Sequence, residues 1–156
     1  MGGVATDFGQ IIKTLMSSQE LRNLLLVPAN QQTNGLMINK YFCQGISSNI
    51  VTTTPICRII INSNPSNSTN NMYVREDMLA IEVFVPNAIG ESNFDTNNIP
   101  LFERRSYQIV DSIIKLLNNK SVNDRKFHLE ARHELVSSTV GFCRHFLQFS
   151  YKRIYA

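Results

Sequence analysis

The stretch Leu79-Ala80-Ile81-Glu82-Val83-Phe84-Val85-Pro86 constrains this chain more than any other. Its β-branched and aromatic residues favour extended backbone, and Leu79, Ile81, Val83 and Val85, each two apart, share one face of a strand. The run from Gly141 to Ala156 is strand-like almost throughout. It sets Cys143, His145, Leu147, Phe149 and Tyr151 on one face and Phe146, Gln148, Ser150, Lys152 and Ile154 on the other. A last strand needs a neighbour to hold it, because free termini fray. Between the two runs lies a helical pattern, Leu101 to Asn118, with Phe102, Tyr107, Val110, Ile114 and Leu117 along one side and Ile109, Ile113 and Leu116 widening it. So broad an apolar face suits burial against a sheet.

The rest of the chain fills in around these elements. Asp7 to Leu26 reads as two helices, the first with Phe8, Ile11, Ile12, Leu15 and Met16 as its apolar stripe. Ser17 and Glu20 have the form of a capping box opening the second, and Pro28 closes the region. Ala29 to Thr54 reads as loop with one short strand near Leu36-Met37-Ile38 or Tyr41-Phe42. Pro55 then precedes Ile56–Ile61, a compact apolar run and a buried strand. Asn62 to Asn71 holds only turn-forming and polar residues with no capacity for burial, so it predicts a long mobile loop, at about 62–77. Phe127, Leu129, Ala131, His133 and Leu135 alternate with Lys126, His128, Glu130, Arg132 and Glu134, a strand with one polar face. Val136 to Gly141 supplies the turn into the last strand, and Asn118-Asn119 the end of the long helix. The expected fold class is α+β in one domain, 1–156. It is a mostly antiparallel sheet of about four strands with N-terminal helices and one long helix packed on it.

Composition narrows the function classes. Hydrophobic content of 43% fits a globular fold, and charged residues at 17% are few, with Asn, Ser and Thr taking their place. Such a surface suits contact between copies of the chain, although the base composition of a genome also enriches Asn. The net charge of +3 is too small to argue for nucleic acid, and the cations are scattered. Cys43, Cys57 and Cys143 have no metal-binding spacing. No secretory apolar segment follows Met1 and no run is long enough to cross a bilayer, so synthesis in a reducing cytoplasm is expected. The sequons at Asn67 and Asn119 then carry no weight.

No catalytic pattern emerges. His128 and His133 sit on opposite faces of one strand, and His145 can approach only one of them, which disfavours a three-histidine metal site. Cys143 and His145 share a face, yet nothing marks an oxyanion hole or an orienting third group. Ser137-Ser138-Thr139 lacks the frame of a nucleophile elbow. Glu76, Asp77 and Glu82 pair with nothing by spacing, no glycine loop cradles phosphate, and aromatics do not interleave with basic residues as in an RNA-binding sheet. The expectation is no enzyme, no metal and no cofactor.

At Leu79–Pro86 the chain resembles the tail terminator proteins of long-tailed, lambda-like bacteriophages. They carry a similar apolar–Glu–Val–Phe–apolar–Pro strand followed by an irregular acidic stretch, here Asn87 to Asp95, then a long helix and a hairpin whose last strand ends the chain. The opening helices and the Ile56–Ile61 strand fit as well, while the asparagine-rich insertion departs from the pattern. The resemblance implies a structural virion protein of the tail or neck. It would form a ring, commonly a homohexamer, that caps the tail tube, stops its polymerisation and offers a surface to the head connector or stopper. DNA passes through such a ring only as cargo, and no membrane is involved. Head-to-tail contacts repeated with rotational symmetry close a ring, and segments that order on docking supply contacts without premature association. On this reading Asn64, Asn67, Asn70, Arg75, Glu82, Tyr151, Arg153 and Tyr155 are the candidate subunit or tail-tube contacts. A head-side connector or stopper ring of the neck is the nearest alternative. A small nucleic-acid-binding module is the alternative of another class, and it would show salt-sensitive retention on DNA.

Overall fold

A computed structural model describes residues 4–45, 56–68, 74–87, 104–135 and 141–154. Val4–Met16 forms α1 and Gln19–Leu24 forms α2. Phe8, Ile11, Ile12, Leu15 and Met16 are buried, as their helical spacing requires. The break between the helices falls one residue beyond the expected cap: Ser18, not Ser17, opens α2, its Oγ accepting the Leu21 N–H at 3.2 Å. Ser17 Oγ instead donates to the Thr14 carbonyl at 2.7 Å, closing α1. A short 3-10 turn (Ala29–Gln31) and one helical turn, α3 (Asn34–Met37), lead into β1 (Phe42–Gln44).

The remaining elements are β2 (Arg58–Ser68), β3 (Val74–Pro86), the long helix α4 (Arg105–Leu117), β4 (Ser121–Val122), β5 (Arg125–Lys126), β6 (His128–Leu135) and β7 (Phe142–Ile154). Five strands make one sheet in the order β1-β2-β3-β7-β6, antiparallel except for the parallel β1–β2 edge. The fold is α+β, with one more strand than expected. Its added β4–β5 hairpin turns on Asn123 and Asp124, both at positive φ (51° and 60°), the backbone that a two-residue type I′ turn demands. Asn119, at φ 58°, ends α4 as a left-handed cap.

Leu79, Ile81, Val83 and Val85 all face the main core, where they meet Ile59, Ile61, Leu147 and Phe149 from neighbouring strands and Ile109, Val110, Ile113 and Leu117 from α4. The buried stripe of α4 is rotated from the expected one. Ser106, Ile109, Val110, Ile113 and Leu117 point inward, and Tyr107 is 41% exposed. A smaller cluster of Cys43, Ile60 and Phe84, with Phe142 against it, lies on the other face of the sheet. A buried ion pair joins α1 to β5: Asp7 meets Arg125 at 3.5 Å, and Asn123 Nδ2 donates to Asp7 Oδ1 at 2.8 Å.

One expectation is corrected by the register. The loop expected over 62–77 is mostly strand: β2 runs on to Ser68 and β3 begins at Val74, with Asn67 opposite Glu76 and Ser68 opposite Arg75. Backbone pairing is indifferent to side-chain type, and β3 is also paired to β7 here, so polar residues of low strand propensity are carried along. A bulge between Asn64 and Asn67 absorbs one extra residue. The terminal strand finds the neighbour that it needs within the sheet. β7 lies between β3 and β6 and is paired with both, so its neighbours belong to the same chain.

Candidate functional site

The densest polar chemistry among the described residues sits where the start of α4 meets the β6–β7 hairpin. Its assembly depends on a bulge. Leu129 pairs with Phe149, but Ala131 pairs with Gln148, so β6 spends one extra residue, Glu130, against β7. One extra residue inverts the side-chain alternation of everything after it. Arg132 and Glu134, on the polar face by simple alternation, are thereby placed opposite Leu147 and His145 on the side that carries α4. His133 moves to the other face and stacks on Phe146, with ring centroids 6.5 Å apart. Ser150 Oγ donates to the bulged Glu130 carboxylate at 2.5 Å and fixes the distortion.

Six side chains converge as a result. His145 Nε2 lies 3.1 Å from Ser106 Oγ and 3.6 Å from Cys143 Sγ, all three residues being buried. Arg104, at the N-cap of α4, spans the cluster: one terminal nitrogen reaches Cys143 Sγ at 2.9 Å and the other donates to Glu134 Oε1 at 2.9 Å. Tyr107 Oη donates to Glu134 Oε2 at 2.6 Å, and its ring meets His145 edge-on at 5.1 Å. Glu134 Oε1 is 3.7 Å from Cys143 Sγ. The Tyr107 phenol and the Arg104 guanidinium together hold the Glu134 carboxyl below the usual carboxylate range, because both hydrogen-bond to the ionised form. The same bond raises the Tyr107 phenol, since ionising it would remove the proton that it donates to Glu134. Beside the cluster a cleft of about 340 Å³ is lined by Tyr107, Asp111, Arg132, Glu134 and His145.

A thiol beside an imidazole is the start of a nucleophilic pair, and this geometry brings the two within reach. The surroundings do not develop it. Arg104 and Ser106 pack against the sulfur, and Cys143 does not line the cleft. As packed, the six residues join three elements, the N-terminus of α4 and the facing ends of β6 and β7.

The candidate contact residues are distributed differently. Asn64, Asn67, Arg75 and Arg153 come together in the backbone register at one end of the sheet, on β2, β3 and β7, with Arg75 between Ser68 and Arg153. Asn70 and Tyr155 lie outside the described residues. Tyr151 is corrected: it is 2% exposed, packed on Phe127 at 4.8 Å between ring centroids, and therefore spends its ring on the core of its own chain. Glu82 sits apart from these, on the far face of the sheet, 2.6 Å from Arg144, whose guanidinium lies over Phe84. The Ser106–Glu134 cluster was missed by reading β6 as regular. The one sequence signal of the bulge is that the apolar side of the strand weakens after Leu129, where Ala131 and His133 follow.

Among the described residues no helix is long and apolar enough to cross a membrane. No curated protein is similar enough in sequence to match the chain. In fold it is similar to a chain in the virion of a native gene transfer agent (GTA) particle, with a TM-score of 0.56 over 97% of this chain and 98% of that one, at 9% identity. In sequence, the YomW family matches residues 12–152, from the first helix into the last strand. The chain belongs to the YomW family.

Proposed function

We propose that this protein is a structural component of a phage-type virion, and within it a tail terminator. Its ring, a homohexamer on this reading, caps the tail tube, ends tube polymerisation and presents the surface that joins the head. The observation that carries the proposal is the agreement of fold over nearly the whole length of both chains with a chain of a virion particle. The α–β–β–α–β–β order and the Leu79–Pro86 strand add to it, since these are the features by which the sequence resembles tail terminators.

The structure offers such a ring a suitable end. β2, β3 and β7 continue past the core residues as a polar three-stranded extension carrying Asn64, Asn67, Arg75 and Arg153. Backbone pairing gives this extension a defined shape, and its polar composition keeps it soluble before docking. We assign the tube contact to this end. The Ser106–Glu134 cluster has no catalytic part in the proposal and DNA is only cargo.

Mixing the purified protein with tail tubes and imaging them by negative-stain electron microscopy tests the reading. Rings seated on the tube end that joins the head are expected. Rings that bind the head connector and never a tube would overturn it in favour of a neck stopper. Salt-sensitive binding to DNA with no ring on either partner would overturn the virion reading altogether.

A further inference from the structure

We infer that Cys143, His145 and Glu134 form a zinc-binding site that clips the β6–β7 hairpin shut. Their donor atoms, one each from thiol, imidazole and carboxylate, all lie within 4.8 Å of one another. The two separations from the sulfur match a coordination shell. With Zn–S near 2.3 Å, Zn–N near 2.0–2.1 Å and tetrahedral angles, sulfur and nitrogen should sit about 3.6 Å apart, and sulfur and carboxylate oxygen about 3.5 Å. The observed values are 3.6 Å for Cys143 Sγ to His145 Nε2 and 3.7 Å for Cys143 Sγ to Glu134 Oε1.

Chemistry and access agree with geometry. A thiolate, an imidazole and one carboxylate form the donor set of a borderline-soft dication, whereas Mg²⁺ and Ca²⁺ take oxygen shells. The fourth position falls to Ser106 Oγ, 3.1 Å from His145 Nε2 and 3.5 Å from Cys143 Sγ, or to water from the cleft that Glu134 and His145 line. The cluster already holds a cation between sulfur and carboxylate: the Arg104 guanidinium contacts both. A metal ion would take that position and also use the imidazole lone pair, which a guanidinium cannot. Arg104, with 36% of its side chain exposed, has solvent to move into. Binding exchanges the thiol proton for the metal and changes no oxidation state.

The test is a Co²⁺ titration of the full chain, prepared with a chelator and a reductant, followed by Zn²⁺ competition. A thiolate-to-cobalt charge-transfer band that Zn²⁺ abolishes is expected, together with a Zn²⁺-dependent rise in Tm. Cys143→Ser should remove the band. Glu134→Gln, on a partly exposed side chain that threatens the fold least, should weaken binding by about tenfold or more, while Cys43→Ser should leave it unchanged. Absence of the band in the wild type, or equal affinity in Glu134→Gln and the wild type, would overturn the assignment.

Discussion

Asp7→Ala is the most demanding single test of how the core is held. Asp7 and Arg125 have side-chain exposures of 1% and 6% and lie 3.5 Å apart. At an effective dielectric constant of ~20, two unit charges at that distance attract by roughly 5 kcal/mol. Desolvating both groups offsets most of this, so the pair adds little net stability against an apolar replacement. Removing one partner is different, because the other charge stays buried without it, at a cost of about 3–5 kcal/mol. The lost Asn123 hydrogen bond lies within that range. For a chain of this size each kcal/mol lowers Tm by ~2–4 °C, so Asp7→Ala should unfold roughly 10–15 °C below the wild type. Asp7→Ala combined with Arg125→Met removes both charges and should recover most of the loss, a coupling energy of roughly 2–3 kcal/mol. Chemical denaturation of the four proteins measures it. If the double variant is as unstable as the sum of the two single ones, the ion pair is not the source of the effect and the reasoning fails.

Other perturbations read other parts of the structure. Ile81→Ala, at a fully buried site between Ile61 and Leu147, should cost about 3–4 kcal/mol, and Val83→Ala about 2 kcal/mol, by denaturant midpoint. Glu82→Gln should cost only about 1 kcal/mol in the monomer, since its pairing with Arg144 is partly solvated, and should leave ring assembly intact. The Glu134 carboxyl is held low in the folded state, so its contribution is complete above the ordinary carboxylate range and is lost as pH falls through its depressed value. Tm of the wild type should therefore drop on the acid side more steeply than that of Glu134→Gln. Removing 152–156 deletes the pairing of β7 with Val74, Arg75 and Glu76, and should lower Tm measurably; an unchanged Tm would contradict the internal placement of that strand.

How far the fold could be read from residues depended on what each segment's pattern reports. Leu79–Val85 and Cys143–Tyr151 report burial on a regular strand, and both landed on the face assigned to them. The long helix was legible in extent but not in rotation. Leu and Ile occupy so much of its circumference that Ser106, a polar residue, had to be seen in place to reveal where the buried stripe lies. Asn62–Ser68 misled because its side chains favour turns while its backbone is recruited by a neighbouring strand. The polar cluster was hidden for a third reason. A bulge at Glu130 changes the face of Glu134 without changing its sequence spacing from Leu129, and only the register of β6 against β7 discloses it.

As a proposed tail terminator, this chain would set where a tail tube stops. The most direct measurement is the length distribution of tail tubes polymerised in vitro, with and without the protein, counted by electron microscopy. Without the protein, tubes should grow with no fixed limit; with it they should stop, capped at one end and competent to join heads. Tubes of the same length distribution in both samples, with no cap at either end, would contradict it.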